Sequence, residues 1–454
     1  MEQDRTNDSS RRTFLQRSAA AALGAPAFQR RLGANDRLRT GHIGVGNRGT
    51  QLLHGFMEEK DVEIAALCDV YKPFLERDDS KVDPGYVTGV AGYLRKMGEN
   101  FGHTVDRYDD FRRLLDRKDI DAVVIATPDH WHAIQMIMAC DAGKDVYVEK
   151  PLSQTIVEGR RMVEAVRRSR RVVQVGLHRR SSDAYPKIAE LVQGGRIGRV
   201  TVARGYRISD MAPAGIGKAA PSDPPPGLNW DMWLGPRQWQ PYQGNIVPYR
   251  FRWWKNYSSQ IANWGVHLFD AMRWVLGEEA PASLSAHGGR FAVDDDRTIP
   301  DTLETIFEFA SGKLMVWGQY EASDGPAVRD GEIEFRGTLG NLYSEETGYV
   351  IRPARGGQFQ KPELRTGPDQ MRFPRRERDL TGLHIRNFVD CVKSRQRPHC
   401  DIETGHRSNS FALLANIALE TRSRLDWDAK AERITNNKDA NKHLHYEYRA
   451  PWKL

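Results

Sequence analysis

Thr40-Gly41-His42-Ile43-Gly44-Val45-Gly46-Asn47-Arg48-Gly49 is the stretch that decides the fold of this chain. Thr40 to Val45 reads as a short strand, Gly44 to Gly49 form a GxGxxG turn, and Leu52, Leu53 and Phe56 follow at helical spacing. The glycines permit a tight turn, close approach of backbone to a pyrophosphate, and close packing of helix on strand. The helix start then offers free N–H groups and a positive dipole end to phosphate. Glycine-rich turns are common, so context must carry the reading. A second apolar run, Val62 to Leu67, ends in Cys68-Asp69, about 20 residues past Gly49, where a carboxylate hydrogen-bonds an adenosine ribose. Asp69 could otherwise be a helix cap or turn residue. A carboxylate there repels a 2′-phosphate, so NAD is expected, with NADP left open by nearby Arg48 and Lys72.

Strands and helices continue to alternate. Phe111, Leu114 and Leu115 mark a helix face, and Ile120 to Ala126 a fully buried strand. Ile134 to Ala142 is a helix ending at Gly143, Asp145 to Val148 a strand, and Ile156, Val163 and Val166 one helix face before a strand at Val172 to Leu177. This order predicts a parallel sheet wound on both sides. Later the pattern changes. Leu303, Phe307 and Phe309 alternate with Glu304 and Glu308, then Ser311-Gly312 turns into Leu314 to Tyr320, a hairpin with one buried face. Ile385, Phe388, Val389 and Val392 form a helical stripe, as do Phe411, Leu414, Ala415 and Ala418; both helices are expected to pack back on the first half.

At 454 residues the chain is long enough for two domains, and its 39% hydrophobic and 28% charged residues are those of a globular protein. No stretch approaches the roughly 20 apolar residues of a membrane span. The net charge of +7 is scattered among Asp and Glu rather than gathered in a basic block, which argues against nucleic acid. Cys68, Cys140, Cys391 and Cys400 form no CxxC pair; a Cys391–Cys400 bridge is permitted but not required. His130 and His132 lack carboxylate or thiolate partners at ligand spacing, so no metal is expected.

Residues 1–37 read as an address and linker. Ser10-Arg11-Arg12-Thr13-Phe14-Leu15-Gln16 resembles a twin-arginine export signal, followed by a weakly apolar run from Ser18 and by Ala25-Pro26-Ala27, a small-x-small cleavage pattern. A periplasmic location, with the protein exported folded, is the expectation.

Two stretches resemble the Gfo/Idh/MocA (glucose–fructose oxidoreductase-like) family. Ala126-Thr127-Pro128-Asp129-His130-Trp131-His132 matches its TPxxxH turn, and Gly143-Lys144-Asp145-Val146-Tyr147-Val148-Glu149-Lys150-Pro151 its GKxVxxEKP. The resemblance runs on through Trp230 to Pro236, Asn263-Trp264-Gly265-Val266-His267, and Pro398 to Ser408. It implies an α/β fold: a doubly wound Rossmann domain, 38–178, then an α/β substrate domain, 179–454, with an open, mostly antiparallel sheet through which relatives usually form homo-oligomers. It implies a nicotinamide-dependent oxidoreductase acting on a sugar, cyclitol or related carbohydrate. Cofactor contacts carry over to Gly44, Gly46, Asn47, Arg48, Gly49, Asp69, Thr127, Pro128, His132, Glu149 and Lys150.

Lys150 is the first candidate for chemistry. In the family the lysine of EKP lies beside the nicotinamide, hydrogen-bonds the reacting hydroxyl, and commonly precedes a cis proline. Independently, a lysine at the end of a buried strand is partly desolvated, which lowers its pKa; a surface ion pair with Glu149 is the plain alternative. His267 is the second: the family's DxxxH places acid and histidine one turn apart, the histidine relaying the alcohol proton. Asn263 stands at the acid's position and cannot accept a proton, leaving Lys150 and His267 as candidate bases. Trp253, Trp254, Tyr257 and Trp264, beside Arg250 and Arg252, are candidates for stacking on a sugar, or equally for core; His178, Arg179 and Arg180 could face the cleft. Met211 to Pro248 reads as a long loop. Three activities compete: lasting oxidation with tightly held NAD; glycoside cleavage by transient oxidation and elimination; and sugar binding without catalysis.

Overall fold

The computed structural model describes residues 37–356, 361–374 and 377–454, and Leu38–Leu454 form one compact unit. The twin-arginine pattern lies outside the described residues. Six parallel strands make the first sheet: β1 (Leu38–Ile43), β2 (Val62–Cys68), β3 (Asp106–Tyr108), β4 (Ala122–Ile125), β5 (Asp145–Val148) and β6 (Val173–Val175), ordered β3-β2-β1-β4-β5-β6. Strands β4 and β5 are buried at every position, as strands covered on both faces must be. The covers include α1 (Asn47–Met57), α2 (His132–Asp141) and α3 (Ile156–Ser169). Helix α3 begins with Thr155 accepting from the Glu158 N–H while the Glu158 carboxylate accepts from the Thr155 N–H, so two orphan donors are satisfied reciprocally.

The second sheet has ten strands and is mostly antiparallel: β7 (Val200–Ile208), β8 (Ser283–Gly289), β9 (Thr302–Glu308), β10 (Leu314–Tyr320), β11 (Ile333–Gly337), β12 (Gly340–Glu345), β13 (Gly348–Pro353), β14 (Asp369–Arg372), β15 (Leu425–Asp428) and the two-residue β16 (Arg433–Ile434). Its order is β14-β13-β12-β11-β7-β10-β9-β8-β15-β16, with β7 and β10 the parallel pair. Leu303 and Phe307 point inward while Glu304 and Glu308 point outward, the predicted one-faced hairpin. The inward face packs on α4 (Val266–Leu276) and on α6 (Ile402–Thr421), in one core with Phe269, Trp317 and Phe411. Helix α5 (Leu380–Ser394) returns to α1, burying Ile385 and Phe388 beside Phe56, and α6 touches both α3 and β6.

Two expectations change. Met211 to Pro248 is not a bare loop; it holds paired short strands, Pro221–Ser222 and Tyr242–Gln243, and the helix Trp230–Leu234, because Trp230, Trp233 and Tyr242 bury together. The permitted Cys391–Cys400 bridge is absent: all four cysteines are buried free thiols. No helix among the described residues is long and apolar enough to cross a membrane.

Candidate active site

The carboxyl ends of β1, β2, β4 and β5 open into a cleft of about 450 Å³, the place where doubly wound sheets receive ligands. Gly44 turns out of β1 at φ +82°, and a Cβ there would stand 2.7 Å from the Thr127 N. A Cβ on Gly49 would stand 1.9 Å from the Gly44 O, so Gly49 lets α1 seat against the turn and does not itself line the cleft. Asp69 lines it and also holds the turn, accepting from the Val45 N–H at 2.8 Å and the Tyr71 N–H at 2.9 Å. Asn47 opens α1 with its Oδ1 buried and unpartnered. A glycine cradle with no room for Cβ and free first-turn N–H groups fit a dinucleotide phosphate, and the orphaned Asn47 Oδ1 is an acceptor that fits a hydroxyl donor of the same ligand.

Behind the turn, the buried Arg77 donates to the Val45 O at 2.5 Å and is held by Glu99. Arg77 and Glu99 were not predicted. Arg77 sits in the left-handed backbone region, φ 61°, just past a short helix, and no sequence pattern announces that it turns back to the glycine turn.

At the other end, Lys150 precedes a cis proline and donates to Asn263 twice, to its Oδ1 at 2.8 Å and its O at 3.0 Å. Burial lowers the Lys150 pKa to about 8; Glu149 opposes that shift and the Arg252 guanidinium adds to it. Glu149 is buried and paired with the Arg48 Nε at 2.7 Å. Burial raises its pKa, but Arg48 and Lys150 outweigh this and keep it below the usual carboxylate range. Asn263 belongs to a single π-helical turn, Ile261–Gly265, that runs into α4, and His267 is the second residue of α4. Both line the cleft. Burial, then Lys150, drives the His267 pKa well below its ordinary value, so the ring is neutral, with an unpartnered Nδ1 and its centroid 5.1 Å from that of His178.

Thr127, Pro128, Gly44, Gly46, Asn47, Arg48, His178 and Trp264 also line the cleft, Trp264 at 39% exposure. Other expected contacts lie elsewhere. His132 is buried and clamped between the Pro151 O at 2.7 Å and the Thr127 O at 2.9 Å, so it ties the two motif turns together and does not line the cleft. Trp253 donates to Glu321 at 3.0 and 3.1 Å, Trp254 to the Asn245 O at 3.0 Å, and Tyr257 packs against Trp233 and His130; Trp253 and Tyr257 are core, and half-buried Trp254 packs against it. Arg179 bridges Glu332 and Glu346, and Arg180 is locked to Asp270. Arg252, named with the aromatic cluster, lines the cleft, and so do Trp233, Tyr249 and Phe251, which were not singled out as substrate contacts. For Trp233 the signal was its place in the Trp230 to Pro236 motif; Tyr249 and Phe251 carried none. Among the described residues no group of three or more His, Cys, Asp or Glu side chains could hold a metal ion.

A parallel sheet whose glycine turn, Asp69 carboxylate and buried lysine all line one cleft is that of a nicotinamide-dependent oxidoreductase. Family models agree: "oxidoreductase family, NAD-binding Rossmann fold" matches residues 38–177, "GFO/IDH/MocA C-terminal domain" 236–343, and "oxidoreductase family, C-terminal alpha/beta domain" 360–454. The chain belongs to the Gfo/Idh/MocA family of NAD(P)-dependent oxidoreductases. It is 25% identical to a myo-inositol 2-dehydrogenase of Thermotoga maritima across 84% of this chain and 96% of that one. It is 30% identical to a glycosyl hydrolase family 109 protein of Saccharopolyspora erythraea, across 46% of this chain and 48% of the relative. An aldose-aldose oxidoreductase structure from Caulobacter crescentus shares the fold, with a TM-score of 0.59 and 18% identity over 86% of this chain and 99% of that one.

Proposed function

We propose that this enzyme oxidises a secondary alcohol of a sugar or cyclitol, using NAD held in the cleft. The observation that carries this reading is the convergence of Lys150, Asn263 and His267 on the cleft that begins at the Gly44 turn. Hydride acceptance is the chemistry that the dinucleotide supplies when bound. Lys150, partly neutral near pH 8, takes the hydroxyl proton, and the two acceptors of Asn263 hold its Nζ in place. His267, neutral and with a free Nδ1, accepts a hydrogen bond from a second hydroxyl or relays the proton toward His178. Trp264 offers an exposed aromatic face to a ring. NAD is favoured over NADP, since Asp69 faces the ribose end, Arg48 is committed to Glu149, and Lys72 stands outside the cleft beside Glu76.

The family 109 likeness and the amide at Asn263 favour a second reading, glycoside cleavage by transient oxidation at the same site. One experiment separates them. Native mass spectrometry establishes whether purified protein carries dinucleotide, and a sugar and glycoside panel is followed by reduced-nicotinamide absorbance and product analysis. A lasting ketone or lactone supports the first reading, and cleavage without net redox change the second. Folded protein that binds no dinucleotide overturns both. Lys150→Ala abolishes turnover under either reading while keeping the dinucleotide. Export through the Arg11-Arg12 segment is part of the proposal, because the arginines, the apolar run and Ala25-Pro26-Ala27 follow in signal order. A reporter fused behind residues 1–37 that stays in the cytoplasm of a twin-arginine-competent host counts against it.

A further inference from the structure

Many arginines buried or half-buried in this molecule are matched by carboxylates, among them Arg48 by Glu149, Arg180 by Asp270, Arg204 by Glu334, Arg297 by Asp295 and Glu321. Two arginines around the reactive end of the cleft are not. Arg252, half-buried in the cleft wall, lies over the rings of Tyr249 (4.2 Å) and Phe251 (4.6 Å), and its one hydrogen bond runs from Nη1 to the Tyr249 O at 2.9 Å. Arg207, also half-buried, stacks 4.0 Å from the Trp264 ring centroid and has no ion pair among the described residues. It lines a side recess of about 220 Å³ that shares Trp264 and His267 with the main cleft.

Nearby acids do not neutralise this pair. Glu149 is taken by Arg48, and Glu332 and Glu346 by Arg179; buried Asp129, on the same cleft wall, accepts from the Ser258 hydroxyl and makes no ion pair with Arg252, acting on it only through space. A half-desolvated guanidinium without a counter-ion is costly, and aromatic stacking leaves its N–H edge free to fork onto a planar anion.

Resting on the oxidoreductase reading above, we infer that the substrate is an acidic sugar, a uronate or aldonate class compound, whose carboxylate pairs with Arg252 while its ring lies against Trp264. Arg207 is the second cation, placed where the recess receives the far end of the molecule. Both are positioning residues for specificity.

The test uses the full chain loaded with NAD and matched ligand pairs: glucose against glucuronate, galactose against galacturonate, with glucose 6-phosphate and a sulfated glucose as further arms. Binding is read by calorimetry and melting temperature, turnover by nicotinamide absorbance. The expected result is about tenfold or greater preference for the uronate, weakening as salt is raised while neutral binding does not. In Arg252→Met the acid-to-neutral ratio collapses toward one, and Arg252→Lys keeps part of it. Equal or better binding of the neutral partner, an unchanged ratio in Arg252→Met, or preference for phosphate or sulfate over carboxylate overturns the inference. Should Arg252→Met not fold, the salt dependence of the unmodified enzyme and Arg207→Met decide. Salt-sensitive uronate binding without nicotinamide reduction would sink the oxidoreductase reading and leave this inference standing. Turnover of neutral sugars without acid preference would do the reverse.

Discussion

Lys150 shows how one residue's surroundings set its chemistry. Burial lowers its pKa to about 8, with Glu149 pulling up and Arg252 down. A base must be deprotonated to act, so kcat/KM for alcohol oxidation should rise with pH and level off above about 8. Asn263→Asp places a carboxylate where the Oδ1 now stands, 2.8 Å from Nζ. That charge favours the ammonium form and should move the inflection up by about one to two pH units; rate profiles from pH 6 to about 11 read it directly. An inflection that stays put removes Lys150 from the proton step. Trp253 makes the contrasting case, since its indole N–H serves Glu321 and not the cleft. Trp253→Phe should cost about 1.5–3 kcal/mol in urea unfolding and leave KM unchanged, whereas Trp264→Ala should raise KM.

At the level of elements, the β1–α1 junction has no slack. Gly49→Ala would set a Cβ 1.9 Å from a carbonyl oxygen, backbone against backbone, so α1 must move off the turn. The expected outcome is a loss of stability of about 1–3 kcal/mol or more and purified protein stripped of dinucleotide, both seen by native mass spectrometry and denaturant titration. This junction was legible in the sequence, because the spacing of Gly44, Gly46 and Gly49 and the apolar periods on either side obey geometry that chain-local patterns express. So were the Leu303 to Tyr320 hairpin and the return of α5 and α6. The aromatic run from Trp230 to Trp264 was not. Trp253 and Trp264 are chemically alike, and only tertiary packing decides that one meets Glu321 while the other meets the cleft. His132 misled for a related reason: a motif histidine can serve two backbone carbonyls as readily as a ligand.

Across the whole molecule, much of the buried charge outside the cleft is arranged in closed sets. Arg297 is fully buried, bonded to Asp295 at 2.9 Å and Glu321 at 2.6 Å, and Glu321 also receives Trp253 and Gln260. Arg297→Met would strand both carboxylates and should cost about 3–5 kcal/mol, measurable as a lowered melting temperature. Acid should undo other sets. Glu99 beside Arg77, and Glu432 beside His406 and Arg160, are each held at about 2 although burial alone would raise them. Their folded pKa values lie below the unfolded value near ~4.3. The stability they add is therefore complete above that value and lost as pH falls through about 2. Melting temperature should drop steeply between about pH 4 and 2, and Glu99→Gln should flatten part of the slope.

Helix α6 is common property of the two sheets. Its Gly405 presses on Val175 of β6, a Cβ there falling 2.5 Å from the valine, Asn409 holds the Ser153 carbonyl, and Phe411 sits in the core beneath the ten strands. Hinge closure needs a joint that can bend, and here a rigid twenty-residue rod crosses where that joint would be. Such a crossing opposes closure, and the expected outcome is that X-ray scattering profiles of the protein with and without NAD superimpose.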